Sequence, residues 1–126
     1  MSTAQEYRRI EHNKMQDLPI VVGKEIHLST NPVIRNDMCR QLAGKYPKDF
    51  YWAGWYENCR CYTTWLLATD DEKMQWIRTG ELAKSVLTIE DVPENFKQWC
   101  REHRDIVESD DAPDFITMNR KYLYFL

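Results

Sequence analysis

Apolar and polar positions along the chain follow two periods, and the switches between them mark the elements. Residues 3–17 keep the helical period, since Ala4, Tyr7, Ile10, Met15 and Leu18 fall within roughly 140° of one another at helical spacing. Thr3 and Glu6 have the spacing of a capping box at the start of this helix, and Pro19 stops it. From 20 to 29 the period drops to two. Val22, Ile26 and Leu28 then share one face of a strand, and Glu25 and His27 the other. Gly23 inside that run predicts a bulge or a close approach of backbone. A loop through Ser29, Thr30, Asn31 and Pro32 leads to a short helix over 36–43. Asn36 is its N-cap, Met38 and Leu42 lie on its buried face beside Cys39, and Gly44 is its left-handed stop.

Past Arg60, the run CYTTWLLA has the β-branched and aromatic composition of a strand, and it is the preferred antiparallel partner of the strand at 20–28. Thr69 and Glu72 form a second capping box, opening a helix that runs through Thr79 and closes at Gly80. Residues 86–89 are a short candidate strand. Pro93 suits the first position of a helix that carries Phe96, Trp99, Cys100, His103 and Val107 on one stripe, with Ile106 at its edge. On that stripe His103 reads as a satisfied core histidine. The run ESDDAPD is a solvated acidic turn, and the tail FITMNRKYLYFL is too apolar to be left free. The expected fold is therefore α+β: a single domain over 1–126, with a small, mostly antiparallel sheet flanked by helices.

Between the short helix and the CYTTWLLA strand lies GKYPKDFYWAGWYENCRCY, which follows neither period. Half of the chain's sixteen aromatic residues fall between Tyr46 and Trp65. That concentration makes the segment the main source of an apolar anchor or of a contact surface. If the chain is extended at Cys59 and Cys61, their two thiols face the same way.

Bulk composition narrows the classes of function. The 126 residues make one domain's worth of chain, able to bury about two-thirds of its unfolded surface. A hydrophobic fraction of 43% with 29% charged residues argues against disorder, and no apolar run approaches the roughly 20 residues of a bilayer span. The opening MSTAQEYRRIEHN has no apolar core of a secretion signal. A formal charge of −3 gives no general attraction to nucleic acid, and the local pairs Arg8 with Arg9 and Lys45 with Lys48 read as solvated surface.

Candidate chemistry centres on the four cysteines. Without a secretion signal they point to a reducing compartment and to thiols that are free or bound to metal. Cys59 and Cys61 form a close pair, Cys39 is a third candidate ligand, and a fourth would come from His27 or Cys100. Reduced, closely packed thiols are the other reading, and a disulfide in an oxidising exterior a further one. His12, His27 and His103 fall on three separate elements, and none is marked as the base of a thiol nucleophile. The four glycines form no phosphate-binding loop. No enzyme activity is expected. Trp52, Trp55 and Tyr56 suit a protein interface better than stacking on single-stranded nucleic acid, for which the basic groove is lacking.

One further pattern links these blocks. Cys39, Leu42, Gly44, Lys45, Tyr46, Pro47, Lys48, Asp49, Phe50, Gly54, Trp55, Cys59, Arg60 and Cys61 follow the order of a cysteine-bearing turn, then Leu-x-Gly-Lys, then Gly-Trp-His-Pro-x-Cys-Arg-Cys. VVGKEIHLS upstream and VPENFKQW downstream fit the same series. In this the chain resembles the closing domain of phage head morphogenesis proteins, the minor head proteins similar to protein F of phage Mu. Tyr56 and Glu57 stand where that family has His-Pro, and Asn36 stands where many members have a second cysteine. Members usually carry a long additional region ahead of the part matched here.

The resemblance implies a structural protein of a phage or prophage head. It would act through contacts with portal and capsid proteins in the host bacterial cytoplasm during assembly, some members entering the virion. On that view Cys39, Cys59 and Cys61 are a structural thiol cluster. Gly44, Tyr46, Pro47, Phe50, Trp52, Trp55 and Arg60 are loop or interface anchors. No cofactor is then required. The alternatives are a stand-alone module stabilised by zinc on Cys39, Cys59, Cys61 and His27 that binds protein or nucleic acid, and a truncated prophage remnant.

Overall fold

The computed structural model describes residues 3–29, 37–56 and 59–126. Its sheet is organised around β1 (Val21–His27), whose two edges are taken by β3 (Tyr62–Leu67) and β2 (Gly44–Tyr46), both antiparallel, in the order β2-β1-β3. The β1–β3 pairing is the one the composition of CYTTWLLA predicts. β2 has only three residues and begins with glycine, too short for any alternation to show in the sequence. With helices on either side in sequence, this is the expected α+β fold with a small antiparallel sheet.

Gly23 does both things expected of it. The β1–β3 register shifts between Val21 and Gly23, and a Cβ on Gly23 would lie 2.6 Å from Ile89 Cγ1 and 3.1 Å from the Tyr46 carbonyl oxygen. Beside it, Lys24 is 1% exposed. It lies on the same side of the strand as Ile26, a position that alternation reserves for apolar residues.

α1 (Thr3–Met15) reverses the expectation for its faces. Tyr7 and Ile10 are 68% and 54% exposed, whereas His12 is 4% exposed and Arg8 and Glu11 are half-buried. The helix docks by a polar stripe because the surface it meets offers carbonyls, an indole N–H and the Lys24 ammonium rather than apolar side chains. Arg8 bonds three carbonyls, and Glu11 accepts from Trp65 Nε1 at 2.8 Å. Thr3 is itself helical rather than a cap ahead of the helix, and Glu6 accepts from Arg9.

α2 (Asp37–Leu42) buries Cys39 and Leu42. Asn36, expected as its cap, lies outside the described residues. Gly44 is not a left-handed stop: with φ 156° it is the first residue of β2, far from the helical value near +57°. A side chain satisfies the helix end instead, Asn95 Nδ2 donating to the Gln41 and Ala43 carbonyls at 2.7 and 2.8 Å.

α3 (Asp70–Thr79) has the predicted capping box between Thr69 and Glu72 and closes at Gly80 with φ 75°. The predicted strand at 86–89 is absent. Thr88 N–H turns back to the Ser85 carbonyl, and only Ile89 reaches the sheet, donating to Val22 at 2.9 Å. Val86 and Leu87 point outward, 86% and 50% exposed.

Pro93 caps rather than opens α4 (Glu94–Glu102), and the single helix expected there breaks at His103, with φ −124°, before α5 (Arg104–Val107). The stripe is still buried through Phe96, Trp99, Cys100 and Val107. His103 is half-buried, its Nδ1 lying 2.8 Å from the Trp99 carbonyl and its ring stacked on that indole. The tail docks within the chain: α6 (Asp114–Thr117) buries Phe115 and Ile116, and Tyr122, Leu123, Phe125 and Leu126 cover the same core. Among the described residues, no helix is long and apolar enough to cross a membrane.

Candidate functional site

The aperiodic stretch is the centre of the core. Tyr46, Phe50, Trp52 and Trp55 are at most 3% exposed. Tyr46 lies 4.5 Å from Phe50, and Trp55 5.0 Å from Phe115 between ring centroids. Tyr46 Oη donates to the Leu42 carbonyl at 2.6 Å, and Pro47 is buried beside it. These residues anchor the loop inward. Their side chains pack into the chain's own core. Gly44 is half-buried. Of the anchors only Arg60 is exposed.

Two separate segments bring three sulfurs to one place. Cys39 comes from α2, while Cys59 and Cys61 come from the run that leads into β3. All three are buried and outside any disulfide, and their Sγ atoms lie within 4.8 Å of one another. In a tetrahedral zinc site with Zn–S of about 2.3 Å, the sulfurs stand about 3.8 Å apart. The trio is therefore within a small adjustment of a three-sulfur face and fits such an ion. Tyr56 stands over it, its Oη 3.4 Å from Cys39 Sγ.

His27 and Cys100 do not join the trio. His27 lies on the sheet, its Nε2 2.7 Å from Thr64 Oγ1 and its ring stacked on Tyr62. Cys100 is buried in α4, where burial pushes its thiol up to about 12. Of the candidate ligands, only the three cysteines meet, with a tyrosine hydroxyl beside them.

Electrostatics differ sharply within the trio. The Cys59 thiol is drawn below its ordinary value, first by the hydrogen bond it shares with Cys61 and then by the backbone N–H groups of Trp55 and Cys61 and the Arg8 charge, against the opposing effect of burial. Cys61, on the other side of that bond, is pushed up. Tyr56 is also raised, chiefly by its hydrogen bond with Cys39.

Arg8 fixes the backbone that carries two of the thiols. Its guanidinium donates to the carbonyls of Cys59 and Cys61 at 2.8 and 3.0 Å and to Ala53 at 3.4 Å, and it lies 4.9 Å over the Trp52 ring. Gly54 makes room: with φ 110°, any Cβ there would sit 2.6 Å from Arg8 Nη1. Arg8 is thus not the solvated residue its pairing with Arg9 suggests. The available signal was spacing, since Gln5, Arg8, His12 and Met15 recur on one face at helical intervals. A cleft of about 330 Å³ adjoins this arrangement, with Arg8, Trp52, Arg60 and Cys61 in its wall.

Compared with known proteins, the chain matches no protein-family model, and no curated protein and no solved structure is significantly similar to it.

Proposed function

We propose that this chain is a structural head-morphogenesis protein of a tailed phage or prophage, acting through contacts with portal and capsid proteins in the host cytoplasm. The observation that carries the reading is where the residues of the resemblance lie. Cys39, Leu42, Tyr46, Phe50, Trp55, Cys59 and Cys61 belong to one buried cluster. The block thus closes a fold, a role suited to a docking part, while exposed apolar side chains elsewhere remain open to a partner. Among the described residues these include Tyr7 and Ile10 on α1 and Met74 and Ile77 on α3.

The test is co-expression of the tagged chain with portal and major capsid subunits encoded near it. Capture of either subunit, and its loss in Tyr7→Glu/Ile10→Glu or Met74→Glu/Ile77→Glu variants that keep the wild-type melting temperature, is the expected result. A chain that captures neither subunit, and whose deletion leaves head yield unchanged, removes the proposal.

A further inference from the structure

We propose that Cys39, Cys59 and Cys61 are the protein ligands of one zinc-class divalent ion, with the Tyr56 hydroxyl at the fourth corner of the tetrahedron. Geometry comes first. The sulfurs converge from segments twenty residues apart in sequence to within 4.8 Å, and only a contraction of about an ångström separates them from the spacing of about 3.8 Å that a tetrahedral ion imposes. The Tyr56 Oη, 3.4 Å from Cys39 Sγ, is already at ligand-to-ligand distance.

Backbone N–H groups of Trp55 and Cys61 are directed at Cys59 sulfur, and that of Ser29 at Cys61 sulfur. Donors of this kind orient and tune metal-bound sulfurs, and they give much less to a neutral thiol. Three buried thiolates without a cation would carry a charge that a protein interior does not tolerate. A divalent ion reduces the site to a single negative charge, and the adjacent Arg8 guanidinium, bonded to the Cys59 and Cys61 carbonyls, offsets that remainder. A soft sulfur set favours zinc over magnesium or calcium.

The position gives the ion something to hold. α2, which carries Cys39, runs directly into β2, and Cys61 immediately precedes β3. A single ion therefore ties together the segments that feed the two opposite edges of the sheet. Neither the ligands nor the tests below involve the portal or capsid, so this inference and the assembly reading fail separately.

The full chain, purified without chelators from medium of ordinary zinc content, is expected to retain about one equivalent of zinc by elemental analysis and native mass spectrometry. Removing it should lower the melting temperature by about 10 °C or more. Replacement by cobalt(II) should give sulfur-to-metal charge transfer and the intense visible bands of a tetrahedral ion. Cys59→Ser should weaken binding more than about 100-fold, beyond the usual effect of losing an outer-shell partner, whereas Cys100→Ala should leave it unchanged. Tyr56→Phe keeps the three sulfurs and a folded chain. It should still bind one equivalent, about 10–100-fold more weakly, with a shifted cobalt spectrum. Less than a tenth of an equivalent after incubation with zinc, with melting indifferent to chelator, overturns the site. An unchanged affinity and spectrum in Tyr56→Phe overturns the fourth corner.

Discussion

Lys24 places its ammonium 2.8 Å from His12 Nδ1, and both side chains are buried, at 1% and 4% exposure. The Phe50 carbonyl takes a second bond from the same ammonium, and the Trp65 ring lies 4.7 Å from it. His12 can accept from Lys24 only as the neutral ring, so the pair excludes a second positive charge. Burial lowers Lys24 to about 7; burial, and then the Lys24 charge, lower His12 to about 4.

Stability should therefore depend on pH in two windows of the same sign. Between pH 6.5 and 4 the unfolded chain protonates His12 and the native state does not, so stability falls as pH falls. The slope is at most about 1.4 kcal/mol per pH unit, the limit for one proton, and less to the extent that water reaches the ring. Between pH 7 and 10.5 the unfolded chain holds the Lys24 proton more tightly than the native state, so stability rises with pH. Urea unfolding of wild type, His12→Gln and Lys24→Met isolates each effect, because the thiol contributions are common to all three. His12→Gln should flatten the acid window and Lys24→Met the alkaline one. A Lys24→Met protein that keeps the full alkaline rise rules out this origin.

Arg8 is expected to hold α1 to the thiol-bearing backbone more through its planar fork than through charge. Arg8→Met leaves three carbonyls without their donor and should cost about 2–4 kcal/mol. Arg8→Lys keeps the charge but cannot span three acceptors, and should recover less than half of that loss. Equal stability of the Arg and Lys proteins in denaturant titrations contradicts the fork argument.

The sequence discloses the fold where a local signal is tied to a local cause. The Thr69–Glu72 box and Gly80 define α3 because capping acts within a few residues. The β1–β3 pair follows from composition and period. The sequence also points to Cys39, Cys59 and Cys61 as a group, and they meet. What it hides are polar groups whose partners lie far along the chain. Lys24 within an alternating strand, Arg8 beside Arg9 and Asn119 in an apolar tail each carry a side chain that reads as surface. Each is settled by contacts 12 to 68 residues away. The apolar spacing of α1 misleads for the same reason, since it ranks residues by hydrophobicity when the docking surface offers hydrogen-bond partners.

Gly23 should tolerate no side chain. A Cβ at 2.6 Å from Ile89 Cγ1 can be relieved by movement of that side chain, but one at 3.1 Å from the Tyr46 carbonyl meets backbone of the neighbouring strand. Gly23→Ala is expected to cost about 1–3 kcal/mol. Combined with Ile89→Ala, the two losses should sum to more than the double variant shows, a coupling of about 0.5–1 kcal/mol in a double-mutant cycle. Strict additivity places the clash on the Tyr46 carbonyl alone.

Asn119 joins the tail to the aromatic loop as a strand partner would. Its Oδ1 accepts from Tyr51 N–H at 2.7 Å, and its Nδ2 donates to the Tyr51 and Phe115 carbonyls at 2.8 Å each, with Asn119 itself 1% exposed. Removing the amide leaves one donor and two acceptors buried without partners, so Asn119→Ala should cost about 3 kcal/mol or more. Asn119→Asp separates hydrogen bonding from packing. The carboxylate still accepts from Tyr51, but it turns an unpaired oxygen toward two carbonyls and buries a charge. At neutral pH it should therefore be less stable than the alanine variant. Protonation restores one donation, and because burial raises this carboxyl, the deficit should shrink as pH falls through about 5. Denaturant midpoints of the two variants at pH 7 and pH 5 decide the matter: an aspartate variant that is the more stable at pH 7 means that solvent reaches this site.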